Sequence, residues 1–556
     1  MVKYPKATLF LFFCCIYLPS IFLRPLFSPD ELRYASIPYE MIKSGDWIVP
    51  HYVGVKYFEK PVLGYWANAL SILLFGHNEF AVRFPGALAA FLVALSVFYL
   101  LKRFGSSLET AFLGGLIYLS SIMVFAIGTI SVLDNVFTLW VTLSIVCFFV
   151  ATESGTGKAQ ESKQTFLWLI LSGIFAGFSC MTKGFLAFAF PVITLAPYLV
   201  WQKKLWRWVP HAIVVILLGL ITLLPWGLAI HKADGDFWNY FFWEEHIKRF
   251  LSDNAQHSEG PAFFIPLLIA GLVPWIVIVP AAIQGLRKNT LSSLAKLSVC
   301  WFIFPFLFLS ISRGKLPTYI LPCFAPLSIL IALGLSNYYQ LHKFTALKRG
   351  FQVWAFVLVI ATLAFIGIEL VPWSGTMRGL TEVGSIPKMI SIAIVLSLGI
   401  PFVISAAKNI DKKSSIYLFA CSILPLYLGT SFLLPRKLIF DRAPGFSIEQ
   451  IRSEIDSNTA VISDFRIASS LSWYLDRQDN YFVFDPNEFT YGLTHFTGVD
   501  RWLKTREEIE VFIKRETDAG RKVVLVYKAK HFDKMRGEFP PPKYEHRKGI
   551  LMISAY

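Results

Sequence analysis

The sequence predicts a polytopic α-helical membrane protein of about thirteen transmembrane helices, closed by a small C-terminal external α/β domain. Three observations carry that expectation. Hydrophobic residues make up 55% of the 556 and charged residues only 16%, with mean hydropathy +0.55, whereas a soluble chain carries about 25% charged residues. Apolar runs of spanning length recur from the N-terminus to about residue 434. Beyond that point they stop, and short β-rich stretches alternate with helical pieces.

The first run, from Ala7 to Phe27, follows Lys3 and Lys6 as a signal peptide would. It is long enough to span and no small-x-small cleavage site follows, so it reads as a retained first helix. Further spans are expected at about 80–101, 108–128, 132–151, 165–181, 184–201 and 209–230, then at 262–285, 295–312, 317–338, 350–372, 386–407 and 414–434. The net charge of +15 is spread over short alternate loops, from Lys102/Arg103 through Lys203/Lys204/Arg207 to Lys408/Lys412/Lys413. That is the pattern of a membrane protein with these loops inside, and it gives no support to a nucleic-acid partner. An odd count then places the C-terminal tail outside. The seven cysteines fall in or beside apolar runs and read as packing residues without a disulfide framework.

Between the first two spans lies a polar stretch, residues 27–63, whose charges cannot face lipid at roughly 2.5–3.5 kcal/mol each. Two clusters stand out in it, Asp30-Glu31-Leu32-Arg33-Tyr34 and Tyr57-Phe58-Glu59-Lys60-Pro61. Each sets acids and bases beside an aromatic, a combination suited to holding a sugar and a phosphate side by side. The same orientation puts Thr182-Lys183-Gly184, the loop 231–260, Lys315-Leu316-Pro317-Thr318-Tyr319 and the 373–385 connection on that external side. The chain thus divides into a transmembrane domain, 1–434, and a soluble external domain, 435–556. In the latter Ala460-Val461-Ile462, Tyr481 to Phe484, Lys522 to Tyr527 and Ile550 to Ile553 are expected as strands, with helices at 466–475 and 505–518. No glycine-rich phosphate loop follows any of these strands, so no nucleotide cofactor is expected.

The DE-containing first loop, the Phe58-Glu59-Lys60-Pro61 motif and the soluble tail resemble the GT-C glycosyltransferases, which use polyprenyl-phosphate sugars. With Glu245-His246-Ile247-Lys248-Arg249-Phe250 and Lys315-Leu316-Pro317-Thr318-Tyr319 added, essentially the whole chain is similar to the undecaprenyl-phosphate 4-amino-4-deoxy-L-arabinose transferases. The resemblance implies inverting transfer of that amino sugar from undecaprenyl phosphate to lipid A phosphates, on the periplasmic face of a bacterial inner membrane. Masking those phosphates underlies resistance to polymyxin and other cationic peptides.

Displacement at the anomeric carbon leaves charge on the departing phosphate, so cations belong there. Lys60, Lys183 and Arg249 are the candidates, with Arg33 close behind and Tyr319 as a hydrogen-bond donor. Tyr34 and Tyr57 join them as substrate-binding aromatics. Asp30 and Asp134 are the acids expected at the sugar. An ionised acceptor phosphate needs no general base, so they bind the donor ammonium or ring hydroxyls, orient the acceptor, or hold the cations. Glu59 and His246 form a candidate divalent-ion pair. Two ligands fall short of the usual three or four for zinc, although the resemblance admits a zinc ion there. Two other readings remain open at this point: a protein O-mannosyltransferase on the same scaffold, and a lipid or sugar transporter. The first is separated by acceptor class. The second is disfavoured by polar groups confined to one side and by the lack of repeated halves.

Overall fold

The computed structural model describes residues 4–22, 24–154, 159–248, 258–288, 290–370, 386–433, 436–495, 498 and 500–556. Among them, nine helices are long and apolar enough to cross a membrane, and eleven if each of two bent pairs counts as one span. The bent pairs are Leu108–Leu119 with Ile122–Gly128, at 60°, and Pro261–Gly271 with Trp275–Arg287, at 90°. Phe185–Trp201 and Ser414–Thr430 occupy two further expected positions but fall below spanning length. Leu63–Phe75 is an additional short apolar helix, beyond the expected set. The 373–385 connection lies outside the described residues.

Leu133–Glu153 is the innermost span, with 89% of its most apolar stretch buried, against 22% for Thr345–Gly367 and Ile390–Lys408 at the periphery. It packs along its successor Ala159–Lys183 and against Glu79–Arg103. Small residues allow close approach where lipid offers no hydrophobic drive: Gly285 and Gly334 let Val279–Arg287 and Phe324–Tyr339 touch backbone to backbone, and a Cβ at either would collide with the facing carbonyl.

The polar stretch after the first span is itself helical over Asp30–Ser44. Leu32, Ala35, Ser36, Tyr39 and Glu40 recur at helical spacing, and Gly45, at φ 73°, closes the last turn by donating to Met41 O. A hairpin follows, β1 (His51–Tyr52) and β2 (Val55–Lys56), whose two-residue turn has Val53 and Gly54 at φ 53° and 73°.

The C-terminal part holds a six-stranded mixed sheet made of β3 (Ala460–Ser463), β4 (Tyr481–Val483), β5 (Trp502–Leu503), β6 (Val523–Lys528), β7 (Tyr544–Lys548) and β8 (Leu551–Ala555). Its order is β5-β4-β3-β6-β8-β7, parallel through β6 and antiparallel beyond. Along β6, Val523 and Leu525 enter one core and Val524 and Val526 the other, so helices cover both faces. The four strands and two helices expected from sequence are present. The edge strands β5 and β7 are new, the first only two residues long and the second polar throughout.

The sheet's helix Phe465–Leu475 lies against Asp30–Ser44. Ser36 donates to Ser469 O at 3.1 Å, Ser28 to Arg466 O at 3.3 Å, and Leu26 N to the Tyr474 hydroxyl at 3.2 Å. Glu40 is the centre of this joint. Its carboxylate accepts from Val53 N at 2.7 Å, Gly54 N at 2.8 Å and Ser472 Oγ at 3.2 Å, while Arg501 donates to Val53 O at 3.1 Å. The acid thereby holds a β-branched residue in a left-handed conformation costing on the order of 1–3 kcal/mol. Burial outweighs these donors and lifts the carboxyl from 4.5 to about 7.

The folded state therefore keeps a proton that the unfolded chain releases above pH 4.5. The group's contribution is full below that value and declines, by on the order of 3 kcal/mol, as pH rises to 7. Glu40→Gln, which resembles the protonated form, is expected to flatten that decline in the apparent melting temperature of the detergent-solubilised protein. A decline of unchanged steepness would show that other groups carry it.

Candidate active site

The two adjacent acids at the start of Asp30–Ser44 face opposite ways. Asp30 is exposed, with 59% of its side chain open, and its Oδ1 accepts from Arg33 Nη1 at 3.2 Å. Glu31 is buried and gathers five donors: Arg24 Nη1 at 2.6 Å, Arg83 Nε and Nη2 at 2.6 and 3.0 Å, Phe27 N at 2.8 Å and Ser131 N at 3.0 Å. Burial pushes its carboxyl up, but Arg83 and Arg24 prevail and bring it down to about 2. Arg83, fully buried, also donates to the carbonyls of Ile21, Arg24 and Pro25. This network ties the end of the first span, the Asp30–Ser44 helix and the start of Glu79–Arg103 into one unit. Asp30 and Arg33 are thus set on a rigid base.

Arg33 makes a second ion pair, with Glu488 of the C-terminal part, and stands 5.8 Å from the Tyr57 ring. Tyr57 donates to the same Glu488 oxygen at 3.2 Å. Burial raises the Glu488 carboxyl, and Arg33 opposes the rise. The Arg33 Nε is buried and has no acceptor among the described residues. Burial raises the Tyr34 hydroxyl; Arg33 opposes the rise, and Asp30, Asp134 and Glu59 add to it. Glu59 acts likewise on Arg33, Tyr57 and Glu488. Lys60, next in the chain, reaches Glu59 O at 2.9 Å.

The other half comes from helix ends. Asp134 lies in the first turn of Leu133–Ser154 and Lys183 in the last turn of Ala159–Lys183, which Gly184 ends at φ 101°. Antiparallel neighbours bring those ends together, and each charge suits its helix dipole. The Lys183 ammonium bonds Asp134 Oδ1 at 2.6 Å and lies 4.4 Å from the Tyr319 ring and 5.4 Å from that of Phe137. Tyr319 is placed by the 3₁₀ turn Pro317–Cys323. The turn's preceding residue but one, buried Lys315, holds Glu259 O at 2.6 Å and Ser312 O, a fastening of the loop.

Direct contacts thus join Asp30, Arg33, Tyr57 and Glu488 in one group and Asp134, Lys183 and Tyr319 in another, and Tyr34 feels charges from both. Arg249 and the His246 side chain lie outside the described residues. Among the described residues no group of three or more His, Cys, Asp or Glu could hold a metal ion. A donor set of Glu59 and His246 is short of a closed zinc site. Sequence reasoning missed Glu488. Its local signal is the turn Asp485-Pro486-Asn487, with Asn487 at φ 50°, which ends β4 and turns the next residue toward the membrane domain.

Comparison with known proteins bears on the family and the fold. Residues 6–241 match the model of the dolichyl-phosphate-mannose-protein mannosyltransferase family, and residues 439–555 that of the arabinosyl transferase ArnT C-terminal domain. The undecaprenyl phosphate-α-4-amino-4-deoxy-L-arabinose arabinosyl transferase 2 of Proteus mirabilis is 37% identical over 531 residues, 95% of this chain and 94% of its own. The corresponding protein of Aeromonas salmonicida is 34% identical over 548 residues, 97% and 96% of the two chains. The crystal structure of ArnT from Cupriavidus metallidurans bound to undecaprenyl phosphate superposes with a TM-score of 0.84 at 22% identity, covering 100% of this chain and 98% of that one. With relatives this similar over nearly its whole length, the chain belongs to the undecaprenyl phosphate-aminoarabinose arabinosyl transferase family of membrane glycosyltransferases.

Proposed function

We propose that this protein transfers 4-amino-4-deoxy-L-arabinose from undecaprenyl phosphate to the phosphates of lipid A, at the periplasmic face of the inner membrane. The observation that carries the reading is the pair of acid-held cations, Lys183 on Asp134 and Arg33 on Asp30, each beside a tyrosine ring. Such a site offers fixed cations to a phosphate leaving group and carboxylates to an amino sugar.

In this reading a lipid A phosphate oxygen attacks the anomeric carbon, the bond to undecaprenyl phosphate breaks, and the configuration inverts. Lys60 and Lys183, with Arg249, stabilise the charge growing on the departing phosphate, and Arg33 and Tyr319 add donors. Asp30 and Asp134 serve mainly to keep the cations in place, since each already binds one. The acceptor phosphate is ionised, so no proton has to be removed from it. Tyr34 and Tyr57 wall the sugar, and Glu59 completes the acidic side. Periplasmic placement rests on the alternation of basic loops.

Mass spectrometry of lipid A from cells with and without this gene tests the reading. Aminoarabinose-sized adducts are expected only with the gene, and a labelled protein band in their place would favour the O-mannosyltransferase alternative. Lys60→Ala is expected to lower transfer by ~10²–10³ while leaving membrane insertion unchanged. Near-normal rates from correctly inserted protein would remove Lys60 from the phosphate grip.

A further inference from the structure

At the opposite end of the bundle a cleft of about 870 Å³ opens between the start of the first span, the end of Glu79–Arg103 and the start of Leu108–Leu119. Arg83, in the network under the active site, and Arg103, at the cleft, are twenty residues apart on one helix, about 30 Å along its axis. The cleft is therefore separate from the transfer site by about the thickness of a bilayer core. Leu95, Phe98 and Tyr99 line it together with Lys6, Lys102 and Arg103. No acidic residue is among the described residues that line it. The nearest acid in sequence, Glu109, is engaged elsewhere with Lys413, at 3.5 Å.

The placement of Lys6 is the informative detail. Lys102 and Arg103 end a helix, where cations offset the carbonyl dipole and need no ligand. Lys6 instead lies in the first turn of its helix, where the dipole disfavours a cation. Its ammonium nevertheless leans over the cleft, 5.8 Å from the Phe98 ring centroid. Cations from two helices thus line one apolar cleft at the basic-loop end of the bundle, which is the chemistry of a basic pocket for an anionic lipid headgroup.

We infer that this cleft binds an anionic glycerophospholipid of the adjoining leaflet. Its phosphodiester sits among Lys6, Lys102 and Arg103, and its first acyl carbons lie on Leu95, Phe98 and Tyr99. A zwitterionic lipid offers the same chains and phosphate, but its ammonium is repelled by the three cations. The site prefers net negative charge for that reason.

The test uses the full-length protein, purified in mild detergent and offered equal amounts of phosphatidylglycerol and phosphatidylethanolamine, with retained lipid counted by native mass spectrometry. Wild type is expected to keep phosphatidylglycerol. K102A/R103A is expected to lower that retention about thirtyfold, from roughly fivefold per basic residue. If the double variant unfolds, Lys6→Glu serves alone, being an exposed position at a helix start; it too is expected to release the anionic lipid. Equal retention of both lipids by wild type would overturn the proposal. So would unchanged retention of phosphatidylglycerol by folded variants.

Discussion

Lys183→Ala is expected to reduce aminoarabinose transfer by ~10²–10³, the usual consequence of removing one stabiliser of developing charge from a prearranged site. Lys183 bonds Asp134 at 2.6 Å and packs over Tyr319, so it is held where a phosphate can meet it without reorganising. The substitution also leaves Asp134, only 8% exposed, without its partner. Part of any loss could then be a loss of folding, and the double variant separates the two causes. Asp134→Asn with Lys183→Ala removes both charges, so stability should return toward wild type while transfer stays low. Coupling between the two sites should appear in stability because the pair is in direct contact. The measurement is the initial rate with undecaprenyl phosphate-aminoarabinose and lipid A, at matched amounts of inserted protein, beside the apparent melting temperature. Recovery of transfer in the double variant would reduce Lys183 to a neutraliser of Asp134.

The second large effect concerns Glu31. Replacing it by alanine should destabilise the protein by about 3–5 kcal/mol, because Arg83 would keep its buried charge with no carboxylate to meet it. Asp30→Asn, one residue away, should leave stability near wild type, since that side chain is exposed and its bond to Arg33 is a partly solvated one. Transfer should fall in both, for different reasons: loss of the folded protein in the first, loss of a positioned cation in the second. The pH dependence follows the same logic. Folding lowers the Glu31 carboxyl from 4.5 to about 2, so its contribution is present above pH 4.5 and is lost as pH falls toward 2. Acid lability over that range should disappear in Glu31→Ala. An alanine variant as stable as wild type would mean that water or rearrangement satisfies Arg83, and that the anchoring network is dispensable.

Sequence alone determined the class of this protein and the places of its helices, because lipid makes composition a local signal. A stretch that must be apolar for some twenty residues declares itself without knowledge of its neighbours. The expected spans therefore recur as helices, with two of them bent and two shorter than the bilayer demands. The four strands read from Val, Ile and aromatic runs were legible on the same ground, whereas β5 and β7 were not. An edge strand of two residues or of charged ones carries no apolar pattern, and only its paired neighbour makes it a strand. The Asp30 and Lys60 motifs singled out the candidate site, yet not which side chain there anchors and which stays exposed. Adjacent residues on a helix point about 100° apart, so only packing decided that Glu31 anchors while Asp30 stays exposed beside Arg33. Likewise Asp134 meets Lys183 across 49 residues, and Glu488 meets Arg33 across 455. Charge pairing acts through space and leaves no trace in local spacing. Folding the C-terminal sheet onto the Asp30–Ser44 helix is what made those contacts, and Glu488 became part of the site through that docking alone.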